Sequence, residues 1–427
     1  MDRALLVGLN IGDKDFDSSM EELKNLAEAC EFEVVSILTQ NLAHPIAATY
    51  IGRGKVEEIC DIEVKQEIDC CIFEDTLSPV QLKNLQKNIK ARILDRTGLI
   101  LEIFSKRART REAKLQVESA KLQYMMPRLI GMWEAIGRQG GSSGSSSNRG
   151  IGETQLELDR RWIQKRNAEL RRELEAIEHD RDIQRRKRSD KELPLVALVG
   201  YTNAGKSTIM NRLLAMSNRE EEKQVFEKDM LFATLDTSVR RIETVSKKDF
   251  LLSDTVGFLD KLPHALIKAF RSTLDEIKYA DLLLEVVDVS DERHTEQMRV
   301  TDETIRELGA ETIPRIYVMN KCDKLEDNVD SSQGKTGQKF TVKETADRIY
   351  IAAGVGQGID ELVDLIQRRL YGGNKTAEFM IDYAHGAVAG ELSEKATVLE
   401  REYRPEGLYI KAEVSDYIRT KYKEMII

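Results

Sequence analysis

The stretch Gly200-Tyr201-Thr202-Asn203-Ala204-Gly205-Lys206-Ser207-Thr208 has the spacing G-x-x-x-x-G-K-[ST]. This pattern holds phosphate when it follows a strand and opens a helix. The apolar run LPLVALVG (193–200) leads into it, and a helical pattern follows. Gly200 and Gly205 let the backbone wrap closely around phosphate oxygens. The loop N–H groups and the helix N-terminus supply positive potential there. Lys206 is the residue to reach the outer phosphates, and the Ser207 hydroxyl oxygen is a ligand for Mg²⁺.

Three further motifs each end an apolar run. In Asp254-Thr255-Val256-Gly257, Asp254 is suited to hold the same Mg²⁺ through water, and the Gly257 amide to sense a γ-phosphate. In Asn320-Lys321-Cys322-Asp323, the Asp323 carboxylate can accept from both the N1–H and the 2-amino group of guanine. Adenine offers neither donor, so ATP would leave buried polar groups unpaired, which is how large specificities arise. Asn320 ties this base pocket to the phosphate loop, and the stem of Lys321 covers the base face. Ala352-Ala353-Gly354 follows the last strand, where a backbone N–H can meet the guanine oxygen. In this order the motifs specify GTP or GDP with Mg²⁺.

Phe232-Ala233-Thr234 lies between the first two motifs, and Thr234 is the candidate to complete the Mg²⁺ shell beside Ser207 and Asp254, with Thr237 its competitor. The segment from about 217 to 237 is read as a switch ordered by γ-phosphate. Lys206, Thr234 and Gly257 form the candidate catalytic set. Ras-like enzymes place a water-orienting Gln after the glycine of D-x-x-G. Here that position is Phe258, which cannot orient a nucleophile, and no arginine finger is evident in cis. Slow intrinsic hydrolysis, stimulated by a partner, is expected.

The elements that must position these residues form an α/β pattern over 193–371: apolar runs of the parallel-sheet kind alternate with helical patterns. RRIETVSKKDFLL adds one antiparallel edge hairpin, giving a doubly wound sheet. Residues 1–104 also read as α/β, with strands in ALLVGL (4–9), CCIFED (70–75) and ARILDR (91–96), and helices over 19–30 and 78–89. Ser78 and Pro79 open the second of these helices. YIGRGKVEEI (50–59) has two glycines and a lysine, too little for a second phosphate loop. Residues 375–427 read as a small α+β domain, with strands in EFMIDYAH and LYIKAEV around a helix GAVAGELSEKATVLERE.

Residues 105–191 differ. Leu115, Leu122, Leu129 and Ile136 recur every seven residues, as do Leu156, Ile163, Leu170 and Ile177. That spacing makes a narrow seam suited to two helices packed lengthwise. Between the two series lies RQGGSSGSSSNRGIGE (138–153), in which ten of sixteen residues are Gly or Ser. The expected structure is an antiparallel helical hairpin with a tip loop at 138–152. Arms of about thirty residues give a stalk of about 45 Å at about 1.5 Å per residue. Pro127 is expected to kink the first arm.

Bulk properties agree with a soluble, multidomain chain. The 427 residues are 41% hydrophobic and 33% charged. No apolar run of about eighteen residues suggests a membrane span, and the N-terminus lacks the layout of a signal peptide. Cys30, Cys60, Cys70, Cys71 and Cys322 are odd in number and contain no C-x-x-C pair, which points to a reducing cytoplasm. The net charge of −9 hides a split: residues 106–191 carry 21 Lys and Arg against 13 Asp and Glu, near +8, which leaves −17 for the rest. One segment therefore suits a polyanion.

YIGRGKVEEI, LDRTGLILEIF, RARTREAKLQVESAKLQYMMPRL, GETQLELDRR, GYTNAGKST, LFATLD, DTVGFLDKLPHALIKAFRSTL and NKCD occur in order over residues 50–325. In them the chain resembles the HflX family of ribosome-associated GTPases. The resemblance implies a cytoplasmic, bacterial protein that binds the large (50S) ribosomal subunit and uses GTP to split stalled or stressed 70S ribosomes. It implies that the hairpin tip reaches rRNA near the peptidyl-transferase centre, through Arg138, Gly140, Gly141, Asn148, Arg149, Gly150 and Gly152. Arginines there would contact phosphate with a salt-dependent affinity. DNA binding and membrane insertion are not expected, and nothing demands more than a monomer. The chain departs from the family at Ile151, where Pro is usual, and in its serine run 142–147. It also reads Ala352-Ala353-Gly354 where Ser-Ala-Lys is usual, so the lysine stem over the base is missing. Two other readings share these features: a ribosome-assembly GTPase and a passive ribosome-binding adaptor.

Overall fold

The computed structural model describes residues 1–139, 147–189, 193–217, 238–244, 248–255, 257–258, 274–328, 343–345, 347–372, 375–414, 418–419 and 422–427. They divide into two compact units, the first holding Met1–Arg185 and the second the nucleotide-motif region together with the C-terminal residues.

In the first unit, β1 (Asp2–Asn10), β2 (Phe32–Asn41), β3 (Cys70–Phe73) and β4 (Arg92–Asp95) form a four-stranded parallel sheet of order β2-β1-β3-β4. Helices α1 (Phe16–Ala29), α2 (Arg53–Gln66), α3 (Pro79–Gln86) and α4 (Arg96–Arg107) connect and flank these strands. Ser78 and Gln81 make the reciprocal capping box that the Ser-Pro start predicts. Gly52 caps α2, and its N–H donates to Gln40 Oε1 at 2.8 Å, so this Gly-rich stretch serves the fold.

The hairpin follows as α5 (Arg111–Gln139) and α6 (Ser147–Ser189). Leu115, Leu122, Ile163 and Leu170 are buried together, and Met126, Leu174 and Ile177 pack against them. The seven-residue series therefore does mark the seam. The Leu129, Ile136 and Leu156 side chains lie outside the described residues. Ion pairs Glu112–Arg181, Arg111–Glu173 and Glu118–Arg166 cross from arm to arm, and between the start of α5 and Glu118 the partner number falls from 173–181 to 166, which makes the arms antiparallel. The more exposed of these, Arg111–Glu173 and Glu118–Arg166, are each worth less than about 1 kcal/mol, so they select register while the apolar seam supplies the stability. The stalk root is held by Asp95. That carboxylate caps α4 through Gly98 N–H at 2.8 Å and accepts from Tyr124 Oη at 2.5 Å and from Arg128.

Helix α5 spans Arg111–Gln139 with Pro127 inside it. One expectation needs correction. Helix α6 begins at Ser147, so Ser147–Gly152 are helical and not part of the tip loop. Two glycines each cost about 1 kcal/mol in a helix, but propagation along a 43-residue helix absorbs that cost once the seam has nucleated it.

In the second unit, β5 (Leu195–Val199), β6 (Ser238–Ile242), β7 (Phe250–Asp254), β8 (Leu282–Asp288), β9 (Arg315–Asn320) and β10 (Arg348–Tyr350) form a six-stranded sheet of order β10-β9-β8-β5-β7-β6. All neighbours are parallel except β6 with β7, the antiparallel edge hairpin read from the sequence. Helices α7 (Lys206–Met216), α8 (His294–Glu307) and α9 (Ile359–Tyr371) accompany this sheet. Its core includes Val196, Leu198, Ile209, Leu213, Leu252, Leu284, Val318 and Ile366.

The C-terminal part is a three-stranded antiparallel sheet, β11 (Lys375–Ile381), β12 (Thr397–Arg404) and β13 (Gly407–Val414), in the order β11-β13-β12, with helix α10 (Gly386–Lys395) packed on it. The α+β reading holds, but the expected helix 386–402 is too long. Its second half is β12, paired along β13 from Thr397 to Arg404. Lys248 links this sheet to the β6–β7 side through an ion pair with Glu413 at 2.7 Å.

Candidate functional site

The first parallel strand, β5, has β7 on one side and β8 on the other, so the order in which strands are added reverses there. In doubly wound sheets ligands bind at the carboxyl ends of strands, at such a switch point. The phosphate loop leaves β5 there. Gly200 has φ +135°, and a Cβ on it would lie 2.3 Å from the Val286 carbonyl oxygen of β8. Gly205, the N-cap of α7, has φ +101°, and a Cβ there would lie 2.2 Å from Asn320 Nδ2. Only glycine fits either position. Asn203 also takes a left-handed φ of 60°, which completes the curl of the loop.

Lys206 is buried and donates to the carbonyls of Gly200 at 2.9 Å and Tyr201 at 2.7 Å. Burial lowers its pKa to about 8, against the opposing pull of Asp254. A buried ammonium at the phosphate loop is suited to an anion, which would offset its burial. Ser207 Oγ donates to Asp254 Oδ2 at 3.1 Å, so hydroxyl and carboxylate oxygens meet where Mg²⁺ would need them. Gly257 closes the loop: a Cβ on it would lie 2.8 Å from Thr202 Cγ2 and 3.0 Å from Lys206 Nζ. Hard oxygens, a buried lysine and three close approaches without side chains fit a metal-bound polyphosphate.

The base-side residues converge from three elements. Asn320, 2% exposed at the end of β9, donates from Nδ2 to Ala204 O at 2.9 Å and accepts at Oδ1 from Ala353 N–H at 3.0 Å. One side chain thus ties the phosphate loop to the Ala352-Ala353-Gly354 turn. Lys321 has φ 63° and pairs with Asp288 at 2.7 Å, which stretches its stem along this edge. Asp323 follows within the same turn, half-buried.

The Thr255 hydroxyl donates to Leu198 O at 2.6 Å inside the sheet, so its side chain anchors the D-x-x-G segment to β5. Phe232, Ala233, Thr234, Thr237 and Val256 lie outside the described residues, as do Gly140 and Gly141. Arg138 is on helical backbone in α5, and Asn148, Arg149, Gly150 and Gly152 in α6. Their side chains are likewise outside the description.

Two features were not anticipated. Phe258 is bridged to the phosphate loop: Thr202 N–H donates to Phe258 O at 2.8 Å, and Phe258 N–H donates to Gly200 O at 3.1 Å. Its side chain is buried, as is that of Tyr201. The other is Arg212, which reaches from α7 to the Ala353-Gly354 turn. The aromatic residue after D-x-x-G was the only sequence signal for the first, and nothing signalled the second.

A phosphate loop, a D-x-x-G segment and an N-K-x-D segment at successive strand ends of this sheet define a P-loop GTPase. Family descriptions match in the same order: "GTP-binding GTPase N-terminal" over residues 17–105, "GTP-binding GTPase Middle Region" over 107–188, and "50S ribosome-binding GTPase" over 195–321. The GTPase HflX of Caldanaerobacter subterraneus subsp. tengcongensis is 41% identical over 100% of this chain and 94% of its own length. That of Escherichia coli is 39% identical over 84% of this chain and 80% of its own. A solved GTP-binding protein from Sulfolobus solfataricus, in complex with GDP, is 26% identical with a TM-score of 0.45, covering 86% of this chain and 98% of that one. The chain belongs to the HflX family. It is a GTP-binding and GTP-hydrolysing factor linked to the 50S subunit. Among the described residues no helix is long and apolar enough to cross a membrane.

Proposed function

We propose that this protein is a cytoplasmic, monomeric GTP switch that binds the 50S subunit and splits stalled or stressed 70S ribosomes. The observation that carries the reading is a long two-helix stalk with an apolar seam, rooted at Asp95, whose arms are joined in sequence by a Gly/Ser-rich stretch, in a chain that also holds a guanine-nucleotide site. A stretch of small residues can enter RNA where side chains do not fit, with Arg138 and Arg149 near enough in sequence to meet phosphate. The tip is assigned to rRNA near the peptidyl-transferase centre on the strength of the family.

In the nucleotide site Lys206 takes the outer phosphates, Gly257 N–H meets the γ-phosphate, and Asp323 reads the base. Ser207, Asp254 and Thr234 would hold Mg²⁺, which when bound neutralises phosphate charge. Phe258 has no group to orient water, and its backbone is committed to Gly200 and Thr202. Intrinsic hydrolysis is therefore slow, and the ribosome supplies the missing organisation.

The test is a sucrose gradient of purified 70S ribosomes with this protein and a non-hydrolysable GTP analogue, against GDP and a Lys206→Ala variant. Conversion to 30S and 50S only with the analogue supports splitting. Intact 70S carrying the protein favours an adaptor, and binding confined to precursor 50S particles favours assembly.

A further inference from the structure

Arg212 projects from α7, the helix that the phosphate loop opens, and reaches the turn that follows β10. Its Nε donates to Ala353 O at 3.0 Å, and its second guanidinium nitrogen donates to Gly354 O. The guanidinium also lies 3.7 Å from where a Cβ on Gly356 would be. A two-pronged donor on successive carbonyls fixes a turn in a way that a single ammonium cannot.

The consequence falls on the amides of that turn. Ala353 N–H is taken by Asn320 Oδ1 at 3.0 Å. The next N–H, that of Gly354, has no hydrogen-bond partner among the described residues, and a Cβ on Gly354 would meet nothing within 4 Å. Ala353 C=O and Gly354 N–H belong to one trans peptide and point in opposite directions. Gly356 N–H also donates to Ala353 O at 3.1 Å, so Arg212 is the second hold on this carbonyl, and with both in place the Gly354 N–H is turned to the opposite side. The Arg212 bond polarises the peptide and strengthens its N–H as a donor.

We propose that Arg212 is a positioning residue for nucleobase recognition: it clamps the Ala353-Gly354 turn so that the Gly354 N–H is presented to the base oxygen at position 6. This rests on the guanine-site reading above. Gly354 has no side chain of its own to brace the turn, so the bracing comes from outside, through Arg212.

Asp323 reads the N1 and 2-amino edge of the base, and Arg212 acts on the 6-oxygen edge, so two nucleotides separate them. IDP lacks the 2-amino group and keeps the oxygen. 6-Thio-GDP keeps both N–H donors and offers a weaker acceptor at position 6. The experiment measures the affinities of the full chain for GDP, IDP and 6-thio-GDP by competition with a fluorescent GDP at pH 7. Wild type should prefer GDP to both. Arg212→Ala should bind GDP about fivefold more weakly, the equivalent of one net hydrogen bond. Its preference for GDP over 6-thio-GDP should shrink, and its preference for GDP over IDP should stay. Arg212→Lys, which keeps the charge but serves one carbonyl at a time, should fall between. Equal weakening of all three nucleotides in Arg212→Ala, or no change in any, overturns the proposal and leaves the guanine site standing. A wild type that prefers GDP to IDP but does not distinguish 6-thio-GDP also overturns it. A wild type that does not bind GDP, or binds it no better than IDP, removes the guanine-site reading and this proposal together.

Discussion

Asn320→Ala separates what holds the nucleotide site together from what the nucleotide itself contributes. The side chain makes two bonds, to Ala204 O at 2.9 Å and from Ala353 N–H at 3.0 Å, and is 2% exposed. Truncation leaves one carbonyl and one N–H without partners. Each such group costs about 1–3 kcal/mol when it stays dry. The vacated volume adjoins the base slot, so water can reach both groups, and the lower end applies. The expected loss of stability in the nucleotide-free protein is about 2 kcal/mol, read as a shift of the urea midpoint at unchanged slope. Both bonds exist before a nucleotide arrives, so most of this loss does not reappear in binding. GDP affinity should fall by about tenfold, the share of one contact and some loosening of the turn. Asn320→Asp is the sharper variant, because it accepts from Ala353 N–H but sets a carboxylate against the Ala204 carbonyl. It should be no more stable than Asn320→Ala. If Asn320→Ala keeps its urea midpoint and binds GDP within twofold of wild type, this side chain does not join the two loops and the reasoning fails.

Glu285 lies fully buried in β8 beside Arg315. Burial raises its pKa from the ordinary 4.5 to about 7, with Arg315 opposing and Asp302 adding to the rise. The folded state thus holds an extra proton between these values, and stability falls as pH rises through that window. Glu285→Gln does not titrate, so its stability relative to wild type should improve by up to about 3 kcal/mol between pH 4.5 and 7.5; a pH-independent difference in denaturant titrations contradicts this. Gly354→Lys places a stem where nothing obstructs a Cβ. Burial of its methylenes against a base is largely offset by about 1–2 kcal/mol of lost rotamer freedom, so GDP titration should show a gain of at most about fivefold, and weakened binding would show the turn to be more crowded than described. Leu170→Ala removes a fully buried seam residue. It should destabilise the hairpin by about 2–4 kcal/mol, seen as faster amide exchange in α5 and α6, with GDP affinity unchanged; a matching loss of GDP affinity would mean the stalk and nucleotide site are not separable.

The motif-bearing strands and the two helical arms were legible because their signals are local. Strand ends at Val199, Asp254 and Asn320 coincide with the chemistry they carry, and the seven-residue spacing marks the residues that pair across the hairpin. Features decided by distant partners were not. Thr397–Arg404 is rich in helix formers such as Leu399, Glu400 and Glu402, but pairing with Gly407–Val414 across a two-residue Pro405-Glu406 turn makes it a strand. The Thr255 hydroxyl's bond to Leu198 O at 2.6 Å joins residues 57 apart and has no local signal. Arg212 reads as one more charge on a helix, and only the fold brings it to a turn 141 residues away. Phe258 is legible in the sequence as the residue after D-x-x-G, while its backbone bridge to Gly200 and Thr202 depends on how β5 and β7 lie side by side.

That one guanine nucleotide joins these segments is tested most directly at Asp323. Xanthine carries an oxygen where guanine has its 2-amino group. An Asp323→Asn side chain can donate to that oxygen and accept from N1–H, whereas it meets guanine's amino group with its own. Competition binding of GDP and XDP to wild type and Asp323→Asn should show preference for GDP in the first and for XDP in the second. If Asp323→Asn still prefers GDP, or wild type binds the two equally, the base is not read where the Asn320–Asp323 turn and the Ala352–Gly354 turn meet.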